Sequence, residues 1–263
     1  MKFRKILYAL AGTLMIGGLL ASCGQQTSSA ELIHPHKLTI GLTGTGGPYS
    51  YESHGKMVGF ESDLARDVAK KMGLKPKFVT TKWDSLIAGL GSRRYDVIFN
   101  NITPTKSRKK SFLFSKPYIY SRDVMVTKNN EPNLKNVKSI KGQKFAEGTG
   151  TDNAMVANRF GAKVVPSDAF QTSITLMRQG RAKGTINSQA EWNFYGKKRS
   201  TKGLRAKLIP TSEQPYSDVE AMFGKSSPKL RAKVSKAIQQ LRKDGTLKKL
   251  SLKYFGVNIT NKK

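Results

Sequence analysis

Apolar positions along this chain fall into short runs separated by amphipathic stretches. Leu38-Thr39-Ile40-Gly41-Leu42 is apolar without a helical period, which predicts a buried strand. Phe60, Leu64, Val68 and Met72 then recur at every fourth position, which is one face of a helix, and Gly73 follows as its stop. Lys77 to Thr80 reads as a strand, Trp83 to Leu90 as a helix ended by Gly91, and Tyr95 to Phe99 as another strand. This β-α-β-α-β order argues for a parallel sheet covered by helices.

A second block repeats the alternation. Val124 to Val126 is a strand, and residues 129–136, which contain Pro132, are a loop. Strand Lys144 to Ala146 leads through the turn Gly148-Thr149-Gly150-Thr151 into a helix that ends at Phe160. Strand Lys163 to Val165, helix Asp168 to Gln179 and strand Gly184 to Ile186 complete the block. Residues 196–207 hold six basic residues and no acid, and read as an exposed loop or a frayed helix end. Pro228 to Leu241 is a basic amphipathic helix with Leu230, Val234, Ile238 and Leu241 on one face, and a last helix covers Leu247 to Tyr254. Two α/β blocks of similar size point to a bilobed molecule.

Composition narrows this. With 263 residues, 38% of them hydrophobic, the chain can fill a core. Lysine and arginine number 47 against 17 acids, a net charge of +30. That excludes a disordered acidic chain and, with so few apolar residues, a polytopic membrane protein. By itself the charge points to an anionic partner. The single cysteine excludes a disulfide framework and a thiolate metal cluster.

The N-terminus accounts for that cysteine. Lys2, Arg4 and Lys5 precede an uncharged stretch, Ile6 to Leu20, which is too short and glycine-broken for a spanning helix. The sequence Leu20-Ala21-Ser22-Cys23-Gly24 resembles the lipobox of bacterial lipoproteins, whose cysteine is lipidated. Residues 1–23 are therefore expected to be a lipoprotein signal peptide, Cys23 the lipidated residue and 24–36 a flexible tether. Export makes nucleic acid an unsuitable partner.

A series of motifs then falls in order. Met57-Val58-Gly59-Phe60-Glu61-Ser62-Asp63-Leu64-Ala65, Trp83-Asp84-Ser85-Leu86-Ile87, Tyr95-Asp96-Val97-Ile98 and Phe114-Ser115-Lys116-Pro117-Tyr118 are followed by Gly148-Thr149-Gly150-Thr151, Gly180-Arg181, Asp244-Gly245-Thr246-Leu247 and Lys253-Tyr254-Phe255-Gly256. Together they resemble the extracytoplasmic amino-acid-binding proteins of bacterial ABC importers, solute-binding protein family 3. The cystine-binding members and the lactobacillus basic surface proteins are the nearest. The resemblance implies an α/β, bilobed periplasmic-binding-protein-like fold of type II, with two parallel-sheet lobes joined by two crossovers. Lobe 1 would be 37–122 plus 216–263, and lobe 2 would be 123–215.

The implied function is to capture a polar amino acid, cystine among the candidates, and deliver it to an ABC permease subunit by cleft closure. The protein would be a monomer anchored by lipid on the outer face of a Gram-positive cell membrane, with no cofactor, no metal and no catalysis. Consistent with that, the chain offers neither a His-supported nucleophile nor suitably spaced paired carboxylates. A second reading is a basic adhesin for anionic wall or host-matrix polymers. By resemblance, Arg108 and Thr103 hold the ligand carboxylate, Asn101 helps hold its ammonium or main chain, and Trp83 packs on it. Thr151 opens a helix whose N–H groups can meet an anion.

Two positions depart from the family pattern. Gly46 stands where an aromatic residue covers the ligand, and Ser188 where an aspartate binds the ammonium. Asp152 or Glu191 would then supply the counter-charge. Lipidation has a direct test. Cys23→Ser is expected to release the protein from the membrane fraction into the medium, and a Cys23→Ser protein still membrane-bound and lipid-labelled would refute it.

Overall fold

The computed structural model describes residues 31–262, so the signal segment and Cys23 lie outside the described residues. The chain opens with β1 (Lys37–Leu42) and a small three-stranded sheet of β2 (Thr45–Gly46), β3 (Ser50–Ser53) and β4 (Lys56–Val58). Then follow α1 (Phe60–Lys71), β5 (Lys75–Thr80), α2 (Trp83–Gly91), β6 (Val97–Ile98), α3 (Lys106–Ser111) and β7 (Phe112–Phe114). The first crossover carries β8 (Ile119–Ser121) into β9 (Asp123–Lys128), β10 (Lys144–Glu147), α4 (Asp152–Arg159), β11 (Lys163–Pro166), α5 (Phe170–Arg178), β12 (Gly184–Ser188), α6 (Gln189–Lys198) and β13 (Leu204–Leu208). The chain returns through β14 (Ser217–Val219) to β15 (Met222–Gly224), α7 (Pro228–Lys243) and α8 (Thr246–Phe255).

Two five-stranded sheets organise the molecule, in the orders β5-β1-β6-β15-β7 and β11-β10-β12-β9-β13. We call the halves built on them the first and second lobes. Strand β1 runs parallel to β5 and β6, and β10 runs parallel to β11 and β12. The α/β bilobed expectation holds, but the sheets are mixed rather than all parallel. Strand β15 is antiparallel to β6 and β7, and β9 is antiparallel to β12 and β13. The reason is entry direction. Strands reached through a helix point their carboxyl ends at the other lobe, whereas β9 and β15 start at the crossovers and run away from it. The crossovers themselves pair as the antiparallel ribbon β8–β14.

Helices cover both faces of each sheet. In the first lobe Leu64, Val68 and Ala69 of α1 pack with Leu230, Val234 and Ile238 of α7 on one side of β1, while Leu86 and Leu90 of α2 pack with Tyr95 on the other. In the second lobe α4 covers one face through Val156 and Ala157, and α5 the other through Ile174 and Met177. Acids in the first turn of α1 and lysines in its last complement the helix dipole. Gly59 before it must be glycine: its φ is 122°, and a Cβ there would lie 2.3 Å from the Tyr49 carbonyl oxygen.

Three boundaries differ from the sequence reading. Helix α2 runs through Gly91, and Arg93 takes the left-handed backbone at φ 57°. The basic stretch 196–207 is only in part a loop: it is the end of α6, a short turn over 199–203 and the start of edge strand β13. Helix α6 was missed because none of its residues is fully buried, so no apolar period marks it. Strands β2 to β4, β7, β8, β14 and β15 are too short to leave a periodic signature.

The packing has a simple consequence. Leu64 is 0% exposed at the heart of the first lobe, while Leu252 of α8 is 47% exposed. Leu64→Ala should lower unfolding stability by about 3 kcal/mol, whereas Leu252→Ala should change it by under about 0.5 kcal/mol. Denaturant titration of the two variants checks this; similar losses at both sites would contradict the core assignment.

Candidate ligand-binding cleft

A cavity of about 150 Å3 lies at the carboxyl ends of the parallel strands and is walled by both lobes. The loop after β1 contributes Thr43, the loop after β6 contributes Asn100 and Asn101, and the ends of β10 and β12 contribute Glu147 and Asn187. This is the crevice where open α/β sheets bind ligands. A second cavity of about 470 Å3 shares Thr45, Asp168, Phe170 and Glu191 with it and extends past Phe194 and Tyr195 of α6 to Lys198 and Arg199.

Five contacts join the lobes around this space. The Trp83 indole N–H donates to the Thr149 carbonyl at 2.9 Å. Arg108 donates to the Thr103 carbonyl at 2.8 Å within its own lobe and to the Gly150 carbonyl at 3.1 Å across the cleft. The Thr103 hydroxyl donates to Asp152 Oδ2 at 2.6 Å. The Tyr49 hydroxyl donates to Ser188 Oγ at 3.0 Å, and the Tyr51 ring meets Phe194 at 5.1 Å between centroids.

Local structure sets each side chain. Trp83 opens α2, and the Arg108 guanidinium carbon lies 5.5 Å from its ring centre. Arg108 is held in α3 by Thr105, whose side chain accepts from the Arg108 N–H at 3.3 Å. Burial pulls the Arg108 guanidinium below its ordinary pKa, and the nearby Asp152 carboxylate opposes that. Asn101 adopts a left-handed backbone, φ 49°, which asparagine tolerates better than most residues. Thr151 and Ser188 are helix N-caps: their hydroxyls accept from Ala154 N–H and Glu191 N–H, each at 3.1 Å.

Of the residues expected from sequence, Trp83, Asn101, Thr151 and Asp152 stand on the cavity wall. Arg108, Thr103 and Ser188 sit immediately behind it, bonded to wall residues or to the loop that carries them. Gly46 is on the wall, and a Cβ there would meet nothing within 4 Å, so the place of the missing aromatic is open. Tyr49 also stands on the wall, its ring packed on Phe255.

Glu61 does more than complement the dipole of α1. It is fully buried on the cavity wall, and its Oε1 accepts from Asn101 N–H at 2.6 Å and from the Tyr118 hydroxyl at 2.5 Å. Asp63, two residues on, turns outward to Arg66, Lys253 and Tyr254. Glu147 was not anticipated either. It ends β10 just before the glycine-rich turn and accepts from Ile186 N–H at 2.7 Å; a carboxylate at that strand end was its only signal. Burial pushes Glu61 and Glu191 up to about 7, and Glu147 well above its ordinary value. Burial, together with the Asp152 charge, also pushes up nearby Asp123 to about 7.

Two lobes, paired crossovers and a polar cleft between them define a hinged solute-capturing protein. The chain belongs to the bacterial extracellular solute-binding proteins, family 3, whose model matches residues 38–257. It is thus an extracytoplasmic solute-binding protein and not an enzyme. It is 33% identical over 260 residues to a protein of Haemophilus influenzae described as a probable amino-acid ABC transporter-binding protein, covering 98% of this chain and 99% of that one. The L-cystine solute receptor of Neisseria gonorrhoeae, solved unliganded and open, is 35% identical, with 86% of this chain and 95% of that one covered and a TM-score of 0.59. An ancestral arginine-binding protein bound to glutamine is 28% identical, with 85% and 99% covered and a TM-score of 0.76. The better match to the liganded structure, despite lower identity, agrees with the contacts that join the lobes here. No helix among the described residues is long and apolar enough to cross a membrane.

Glu61 gives the cleft a pH signature. Its ordinary pKa of 4.5 rises to about 7 in the folded chain. Between those values the folded state keeps a proton that the unfolded state releases, so raising the pH through this window lowers stability, by roughly 3 kcal/mol for this one group. The ligand-free melting temperature should therefore fall from pH 5 to pH 8, and Glu61→Gln should flatten the fall. An unchanged slope in the variant would contradict the burial of this carboxyl.

Proposed function

We propose that this chain is the receptor of an ABC importer, closing its cleft on a polar α-amino acid and presenting it to a permease subunit. In this reading Arg108 anchors the ligand carboxylate. Its planar fork already spans the two lobes through carbonyl acceptors, and a carboxylate offers the same fork stronger, charge-assisted bonds. The ligand would displace the Gly150 carbonyl as the lobes reclose, so that capture and closure are one event. Thr103, Asn101 and Thr151 would complete the head-group contacts, and the Trp83 ring would support the ligand against the guanidinium.

The adjoining cavity supports a ligand with a long side chain, and the open space at Gly46 leaves it room. Cystine is the first candidate, since the gonococcal receptor of similar sequence is named for it. Lipid anchoring through Cys23 would hold a monomeric receptor at the outer face of the membrane, beside its permease. The observation that carries this reading is that one buried arginine, stacked on Trp83, reaches from the first lobe to the loop of the second at the edge of the cleft.

Titration calorimetry with the twenty amino acids and cystine tests it. The wild type should bind at least one tightly, and Arg108→Ala should weaken that binding about a hundredfold with a near-normal melting curve. Undiminished affinity in Arg108→Ala would overturn the anchor; no binding by the wild type would overturn the function.

A further inference from the structure

The cavity wall is acidic in a chain that is otherwise strongly basic. Glu61, Glu147, Asp152, Asp168 and Glu191 line it, and no lysine or arginine does. Only 17 acids exist to set against 47 basic residues, so this gathering is not a reflection of composition. The ion pairs among the described residues use Asp63, Glu131, Glu213, Asp218 and Asp244, and none uses a wall carboxylate. The partners of the wall acids are neutral donors instead. The Thr103 hydroxyl meets Asp152, the Thr172 hydroxyl meets Asp168 at 2.7 Å, the Ile186 N–H meets Glu147, and the Asn187 side chain meets Glu191.

Within this group Glu61 alone is incomplete. Its Oε1 takes both Asn101 N–H and the Tyr118 hydroxyl, while its Oε2 is fully buried and has no hydrogen-bond partner. A buried carboxylate oxygen with no donor is costly, so without a ligand this oxygen carries the carboxyl's proton up to about pH 7, and a cationic donor would complete it in the proton's place. Ser188, at the position of the family's ammonium-binding aspartate, cannot take that ligand group. A hydroxyl has two acceptor sites, and those of Ser188 are filled by the Tyr49 hydroxyl and the Glu191 N–H. Asp152 is only half-buried and already accepts from Thr103, so solvent can satisfy it.

We infer that Glu61 is the cation anchor of the cleft: its Oε2 receives the ligand's ammonium group, and the acidic wall admits ligands that present positive charge inward. This rests on the reading of the cleft as an amino-acid site. It moves the counter-charge from the second lobe, where Ser188 has lost it, to the first helix of the first lobe. Arg108 and Glu61 would then hold the two ends of one zwitterionic head group from the same lobe. The second lobe would close over a ligand already oriented.

The experiment is calorimetry with paired ligands. Arginine, glutamine, glutamate and cystine are titrated into the wild type, and then the best binder is compared with its deaminated analogue, which keeps the carboxylate and lacks the ammonium. Both are repeated on Glu61→Gln and Asp152→Asn. Wild type should reject glutamate and bind the deaminated analogue about a hundredfold more weakly than the amino acid. Glu61→Gln should lose about the same factor for the amino acid and almost none for the analogue, while Asp152→Asn loses less than tenfold. Equal losses for both ligands would reduce Glu61 to a structural role, and a loss confined to Asp152→Asn would move the anchor there; either overturns the inference while the amino-acid function stands. No amino acid binding by the wild type would overturn both. Where Glu61→Gln melts too low for titration, the wild type decides alone: glutamate binding as well as glutamine refutes the acidic wall as a filter.

Discussion

The buried carboxyl of Glu61 is the point at which the molecule's parts are tied together. It belongs to the first turn of α1, it fixes the loop after β6 through Asn101, and it holds the first crossover through Tyr118. Those three elements are the core helix of the first lobe, a wall of the cleft and the start of the hinge. Phe60 beside it packs on Tyr118 and Phe255, so the same turn that aims the carboxyl at the cleft also closes the apolar core beneath it. A charge in that position is costly to bury. One oxygen of Glu61 is bonded twice and the other is buried without a partner, at a helix start that forms part of the cavity wall.

In the proposed capture cycle, closure has to be weak enough to reverse. The lobes meet through a few hydrogen bonds and one aromatic contact, and each such bond is worth only about 1 kcal/mol net of solvation. Several of the groups used, the carbonyls of Thr149 and Gly150 among them, belong to a glycine-rich turn that can exchange partners without disturbing a core. The two crossovers are bound to each other in the β8–β14 ribbon, so the lobes are joined by one paired linkage rather than two separate ones. A ligand that supplies better acceptors and donors than the lobes offer each other shifts the balance toward the closed form.

Charge is divided by function across the chain. The acids gather where a solute would be held, whereas the cations lie on helix and strand surfaces such as the end of α6, β13 and the outer face of α7. A positive exterior attracts anionic surfaces independently of the field inside the acidic cleft. The exceptions are Arg108, buried immediately behind the cavity wall, and Lys198 and Arg199, which border the second cavity.

The sequence alone was enough for the elements whose faces are fully buried. Helix α1, strand β1 and helix α7 show their periodicity because one side of each meets a core, and the ordered motifs around them identified the family and the place of Arg108 and Trp83. What it could not show was anything set by contacts between distant segments. Helix α6 has no fully buried residue, β9 and β15 run antiparallel because of where the crossovers deliver them, and the short strands exist only as partners of others. The same reason explains Glu61. In the linear chain it is an acid at a helix start, where the dipole suffices to explain it; only the fold brings Asn101 and Tyr118 to one oxygen and leaves the other buried without a partner. Local propensity and burial are written in the order of residues, but the state of a buried polar atom depends on which remote groups reach it, and that was decided by tertiary structure.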